Sequence, residues 1–411
     1  MSDDRGTLRA VAWQELFPAL SLFSALRMGL NIRALLLAAI AIVGTSAGWR
    51  LCGLPFHKPD EPTATSFDEH IETNRIWPWQ QPVGAAPIDQ LTSLKTWWQQ
   101  SPLVFAWNEI SAPFERIYTA NASLAELVYW LLCALWSLLV WSFFGGAITR
   151  MAAVSLARQE NQSWKQLTSF VRPRFAAYLI APLFPILGTF LLAIFLAVVG
   201  VFMRTGFGVF LAGIVWPLVL LGGFAMAFLL IGLFFGWPLM WGAISAEGTD
   251  SFGALSHSYS YTYQRPLHYL LYAVAAAFIG VLGWYLVSTF VYWTITLGNW
   301  GVSWGSGVAR LDEIMGQSSE LGWMGERGAS LIQFWNNGVR TLALAFIFSY
   351  FWSSTTVIYF LLRRGVDATE MDEVFMPEEK QLHGLPSLKT GPDGVAEVAD
   401  DQALAAEEQR G

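Results

Sequence analysis

Charged residues are scarce in this chain of 411 residues. Lys, Arg, Asp and Glu make up 13% of it, about half the share in soluble proteins, whereas hydrophobic residues make up 54%. The 21 Trp and 29 Phe residues add to an apolar surface that a soluble fold could not cover. We therefore expect lipid to cover part of the molecule, as in an integral membrane protein.

Side chains suited to catalysis or metal binding are also few. The chain has five His and two Cys, and no G-x-x-x-x-G-K-[ST], H-E-x-x-H or C-x-x-C motif. Cys52 ends one apolar run and Cys133 lies within another, so we expect no disulfide between them. We predict no catalytic residue, no cofactor and no metal site, and an enzyme is the least favoured class.

The net charge of −7 belongs to the C-terminal segment. Residues 365–411 contain twelve acidic and three basic residues, a balance of −9, which leaves about +2 for the rest of the chain. This segment is poor in aromatic residues and rich in Pro and Gly, so it is predicted to be a disordered acidic tail. The sequence has no basic stripe of the kind that would indicate binding to nucleic acid.

Long uncharged stretches predict six membrane spans, because about 20 apolar residues cross the hydrocarbon core as a helix. Thr205 to Ala246 is about twice that length and could be one long helix or two short ones turning at Gly222-Gly223. The positive-inside rule favours one helix, with both termini cytoplasmic in a bacterial inner membrane. The predicted organisation is 1–33 cytoplasmic interfacial helix, 34–53 span one, 54–122 external segment with interfacial helices, 123–298 four-span core, 299–338 external helical segment, 339–364 span six and 365–411 tail.

The four-span core contains two stretches with the same order of features. Gly146-Ala147-Ile148 is followed by Ser163-Trp164 and then by Arg172-Pro173, which we expect to open span three. Gly242-Ala243-Ile244 is followed by Ser251-Phe252 and then by Arg265-Pro266, which we expect to open span five. The order indicates a parallel repeat of two helical hairpins in an all-α polytopic bundle. Duplication and chance similarity both remain open.

The second stretch carries a resemblance to known families. The run from Pro238 to Gly248, followed by Ala254-Leu255-Ser256 and Ser258-Tyr259, resembles uncharacterised bacterial multi-span membrane families, among them the membrane domain found ahead of some glycerophosphodiester phosphodiesterases. The resemblance covers about residues 143–283, a third of the chain. It implies a helical membrane domain. No phosphodiesterase domain follows these residues, so that activity is not implied.

Residues 247–268 connect spans four and five, and we call them the elbow. They hold the best candidate site. His257 and Tyr261 are four residues apart and share a helix face. Glu247 and His257 could hold a polar headgroup or a metal, although an internally satisfied hairpin is the favoured alternative. The possible headgroup or ligand contacts are Glu247, His257, Tyr261, Arg265 and His268.

Three further polar groups are weighed and given structural roles. Glu126 lies at the outer end of span two, too shallow for a proton pathway. The hydroxyls at 353–356 could line a path through span six or bond to their own helix. The acidic loop that contains His57, Asp60, Glu61, Asp68, Glu69, His70 and Glu72 lacks the spacing of a known metal site.

Two classes of function remain open. Uncharged spans, interfacial helices and an acidic tail favour a non-catalytic scaffold or bilayer-organising protein. The parallel repeat and the Gly- and Pro-rich span four favour the alternative, a transporter or channel for an apolar or lipid-like substrate. The expected partners are membrane lipids and a protein that contacts the acidic tail or the external segments.

Overall fold

Apolar runs and helix caps place the helices of this protein, which we describe from a computed structural model. The structure describes residues 18–56, 66–74, 77–80, 94–99, 101–117, 122–316, 321–377, 388–390 and 396–398. The α-helices are α1 Phe23–Gly29, α2 Ile32–Gly53, α3 Ser66–Asn74, α4 Leu94–Gln99, α5 Pro102–Ile117, α6 Leu124–Arg158, α7 Trp164–Ile180, α8 Leu183–Phe202, α9 Gly206–Glu247, α10 Ser251–Gln264, α11 Pro266–Ser306, α12 Val308–Gly316 and α13 Gly322–Asp367. Short 3-10 turns occupy Pro18–Leu22, Leu54–Phe56 and Pro78–Gln80.

Two compact units divide the chain, residues 1–375 and residues 376–411. All the helices lie in the first unit. The second unit contains β1 Leu388–Thr390 and β2 Ala396–Val398, which pair antiparallel with Leu388 opposite Val398. The sequence pattern does not indicate these strands within the segment predicted to be disordered.

Six helical segments in the described chain are long and apolar enough to cross a membrane, which confirms the all-α membrane class and the predicted number. They are Ile32–Phe56, Leu124–Arg158, Trp164–Phe202, Gly206–Glu247, Pro266–Ser306 and Gly322–Asp367. The fourth is a single helix of 42 residues that continues through Gly222-Gly223, so no turn divides it there.

One predicted helix boundary is wrong. Pro173 lies inside α7 rather than at its start, because a capping box between Ser163 and Gln166 begins the helix nine residues earlier. Residues 328–337, part of the segment predicted to be helical, belong to the continuous helix α13. By contrast, Pro266 opens α11 as predicted, where its missing N–H is tolerated.

Helix α13 is the centre of the bundle. Every residue from Ala343 to Arg363 is buried, and α1, α2, α5, α6, α9 and α11 all contact this helix. The hydroxyl of Tyr350 donates to Ala276 O of α11 at 2.6 Å, and Ser349 donates to Gly29 O of α1 at 2.9 Å. A helix that is apolar on all sides has its place inside a larger bundle.

Helices α1 and α5 lie in segments predicted to contain interfacial helices, and both pack against other helices of the bundle. Gly29 of α1 lies directly against the backbone of Tyr350. Ser101, just before α5, donates to Ala277 O at 3.2 Å, and Pro102 packs on Gly280 of α11. Both segments therefore join the bundle around the same part of α13.

Gly44 and Gly48 are four residues apart, and this spacing of small residues predicts a close approach of another helix. Helix α6 makes that approach to α2. The indole of Trp136 lies over Gly48 and donates to Gly44 O at 2.9 Å. At the far end of this pair of helices, Cys52 and Cys133 are free thiols that belong to one small cluster with Trp49, Tyr129 and Trp130. The two cysteines are therefore close in space, although the sequence places them in separate apolar runs.

Aromatic packing around α13 leaves no space for extra atoms at Gly145 of α6. A methyl group there would lie 2.6 Å from the ring of Trp241 and 2.9 Å from that of Trp352. These two rings stack with centroids 4.3 Å apart. We predict that Gly145→Ala lowers the free energy of unfolding by about 1–3 kcal/mol through overpacking.

The measurement is the apparent thermal midpoint of the purified protein in detergent. Gly223→Ala is the matched control, because nothing lies within 4 Å of a methyl group at that exposed helical position. A midpoint for Gly145→Ala equal to that of the control would show that the rings around α13 are loosely packed.

Candidate functional site

The C-terminal end of helix α9 fixes the position of the elbow. Helix α9 ends at Glu247, and Gly248 takes a positive φ of 66° while its N–H donates to Ile244 O. A side chain at Gly248 would be strained and would meet the ring of Phe375 at 2.6 Å. Asp250 then caps α10 by accepting from Gly253 N at 2.8 Å. These contacts turn the chain back, so that α10 packs along α9.

Tyrosine hydroxyls fasten α10 to the backbone of α9. Tyr259 donates to Leu229 O at 2.6 Å and Tyr263 to Phe228 O at 2.5 Å. Ser258 donates to Gly236 O at 2.6 Å. Burial raises the pKa of the Tyr259 and Tyr263 hydroxyls. These groups act as helix-packing donors.

Glu247 is the centre of a polar cluster where α9, α10 and α13 meet. Its carboxylate accepts a hydrogen bond from the Tyr359 hydroxyl. It lies 3.7 Å from the guanidinium of Arg363 and 3.5 Å from Nε2 of His257. Three partners on two other helices thus compensate for the partial burial of this carboxylate.

Tyr261 extends the cluster toward the end of α13. Its hydroxyl donates to Asp367 and lies 3.3 Å from Nδ1 of His257. Burial, and then the neighbouring Asp367 carboxylate, raise the pKa of this tyrosine. Tyr261 therefore holds its proton at neutral pH and acts as a hydrogen-bond donor.

Arg363 joins the cluster to the residues that follow α13. It is 4% exposed, and its guanidinium donates to Glu373 O at 2.6 Å and to Glu370 O at 3.2 Å. We call residues 368–375 the strap. The strap ends with Phe375, whose N–H donates to Ala246 O at 2.7 Å. This part of the predicted tail is therefore folded against the end of α9.

The structure brings together three of the five predicted contact residues, Glu247, His257 and Tyr261. Arg265 lies at the joint of α10 and α11 and donates to Gly365 O at 3.3 Å. The ring of His268 packs beside Tyr272 with centroids 6.4 Å apart, outside the cluster. The elbow thus forms a compact polar cluster without His268.

Three residues of the cluster were missed by the sequence argument: Tyr359, Arg363 and Asp367. They follow one another at intervals of four, so they share one face of α13. That spacing was visible in the sequence. Its significance depended on knowing that this face of span six meets the elbow.

The polar groups of the cluster mostly bind one another, which leaves few ligand atoms for a metal or a reacting group. Within the described ranges, no group of three or more His, Cys, Asp and Glu side chains is placed to hold a metal ion. The carboxylate of Glu247 and the guanidinium of Arg363 are both engaged by protein groups. The cluster and the hydrogen bonds from Arg363 to the strap connect α9, α10 and α13, and we call this arrangement the latch.

The other polar candidates also have structural contacts. Glu126 completes a capping box by accepting from Ser123 N at 2.7 Å. Thr355 and Thr356 donate to Trp352 O, and Ser354 donates to Phe351 O, so these hydroxyls bond to their own helix. Asp68, Glu69, His70 and Glu72 were predicted to lie in a loop but belong to helix α3, and His70 contacts Arg116. His57, Asp60 and Glu61 lie outside the described residues.

Two sequence matches to G-x-S-x-G have no catalytic geometry. They lie at 44–48 and 301–305, inside α2 and α11. The motif exposes a nucleophile only where it forms a sharp turn from a strand to a helix. Helical backbone at both places forms no such turn, so neither serine is presented in that way.

Comparison of the chain with protein-family models, with curated proteins and with solved structures returns no match. The resemblance to multi-span bacterial membrane families therefore stays a prediction. What the protein does has to be inferred from the helical membrane architecture and from the cluster.

Substitution of Arg363 tests whether this residue holds the strap. We predict that Arg363→Met frees the strap, since it removes two hydrogen bonds from a charged donor and the ion pair with Glu247, together worth about 1–3 kcal/mol. Cleavage by Glu-C protease after Glu370 and Glu373 should then accelerate at least about fivefold, because about 1.4 kcal/mol changes an equilibrium tenfold and about 1 kcal/mol changes it about fivefold.

Cleavage is followed by mass spectrometry of the full chain in detergent. Arg364→Met is the matched control, because this neighbouring arginine is more exposed and lies outside the hydrogen bonds that hold the strap. Equal cleavage rates for the two variants would mean that Arg363 does not hold the strap.

Proposed function

We propose that the protein is a non-catalytic scaffold of the bacterial inner membrane, with both termini in the cytoplasm. In this proposal the bundle is an anchor, and the strap fixes the point from which an acidic segment leaves it. The observation that carries the proposal is the pair of hydrogen bonds from Arg363 to strap carbonyls, together with the bond from Phe375 N to Ala246 O.

The packing of the bundle supports an anchor. Rings of Trp141, Phe348, Trp237, Trp241 and Trp352 fill the space between α6, α9 and α13. The hydroxyls of Ser354, Thr355 and Thr356 in span six donate to carbonyls of their own helix. The alternative, a transporter or channel, would need a polar path or a hinge here, and neither is favoured by a rigid set of stacked rings.

The charge of the C-terminal segment indicates the chemistry of its partner. After Phe375 the chain carries eight acidic and three basic residues, a balance of −5. An acidic segment of this kind attracts a basic protein surface by an interaction that salt screens. We infer a basic cytoplasmic partner that the acidic segment holds at the membrane.

Photocrosslinking in living cells tests the proposal. A p-benzoylphenylalanine residue in place of Gln381 should give a discrete protein adduct, because this position lies within the acidic segment. The same residue in place of Phe224, which is 69% exposed on α9, should give lipid adducts alone. Adducts are identified by mass spectrometry.

Two further variants make the result specific. Replacing the eight acids after Phe375 with their amides should abolish the adduct, and Arg363→Met should weaken it or move its contact site. If position 381 gave no protein adduct, or one that was unchanged without the acids, the scaffold proposal would be wrong.

A further inference from the structure

A small open pocket lies where α2, α5, α6 and α13 meet under the 3-10 turn Pro78–Gln80. Its walls include the aromatic residues Trp49, Phe105 and Trp141. Its polar groups are Thr45 and Ser46 of α2 and Glu109 of α5. The cavity volume is about 40 Å³, which is room for roughly three water-sized groups.

Glu109 is the sole ionisable side chain among the residues that line this pocket. Glu109 is exposed on the face of α5 that borders the pocket, and no lining residue supplies a positive charge to its carboxylate. A cation in the pocket would favour the ionised carboxylate.

Thr45 provides an independent indication of a ligand. The residue is 8% exposed, and its buried hydroxyl oxygen has no hydrogen-bond partner among the described residues. Many other buried hydroxyls on the helices do have a partner: Thr189 donates to Pro185 O at 2.8 Å and Ser349 donates to Gly29 O at 2.9 Å. A buried hydroxyl without such a bond is costly unless something else binds it.

We propose that this pocket binds the ammonium group of a primary amine. An ammonium group has three N–H donors and no acceptor. Glu109, Thr45 and Ser46 supply three oxygen acceptors, and the indole and phenyl walls suit a cation. The volume accommodates the nitrogen and its first two carbons. The aminoethyl group of an ethanolamine lipid and a soluble amine share this chemistry. This proposal is independent of the scaffold function.

Thermal stability with added amine tests the site. The full chain in a neutral detergent is titrated with ethanolamine hydrochloride, and tetramethylammonium chloride at equal ionic strength is the reference because it has no N–H donor. We expect saturable stabilisation by ethanolamine alone. Glu109→Gln should weaken the apparent affinity at least about tenfold, and Thr45→Val should weaken it several-fold.

Glu115→Gln is the matched control, because Glu115 is on the same helix and accepts from Ser111 at 2.6 Å outside the pocket. Nanodiscs of phosphatidylethanolamine or phosphatidylcholine form a second arm. Stabilisation by the ethanolamine lipid that depends on Glu109 identifies a headgroup site, and stabilisation by free ethanolamine in both bilayers identifies a soluble amine. If neither arm shows a Glu109-dependent effect, or if tetramethylammonium acts equally, the proposal fails.

Discussion

The burial of α13 on all sides is the constraint on which the rest of the bundle depends. A long helix whose every face is covered from Ala343 to Arg363 requires neighbours in all directions, and α1, α2, α5, α6, α9, α10 and α11 are among the helices that contact it. Close approach is possible because glycines meet large rings, as Gly145 meets Trp241 and Gly242 meets Tyr359. The long apolar helices α8 and α9 are then left to face lipid along most of their length.

The polar latch follows from that burial. Once α13 is enclosed, the charge of Arg363 at its end must be compensated by protein groups. Glu247 from α9 and the strap carbonyls do so. Without these contacts the buried charge of Arg363 would be left unpaired, so the start of the C-terminal segment is coupled to the packing of the bundle. The scaffold proposal is an extension of this link from structure to function.

Sequence reasoning was most successful where bulk properties decide the outcome. The positions of charged residues predict all six spans, and Gly44 and Gly48 predict a close helix contact. It failed where register decides. Pro173 does not open a new helix, because α7 continues through it from Trp164 to Ile180. The contact of Cys52 with Cys133 and the meeting of Glu247 with Arg363 depend on how far one helix is shifted along another, which apolar composition does not encode.

Hydrogen exchange at the strap tests the central claim most directly. In nanodiscs, the amide of Phe375 should be protected in the wild-type protein, because it donates to Ala246 O. Protection should be lost in Arg363→Met and kept in Arg364→Met. Rapid exchange at Phe375 in the wild-type protein would contradict the account, since the acidic segment would then leave the bundle from no fixed point.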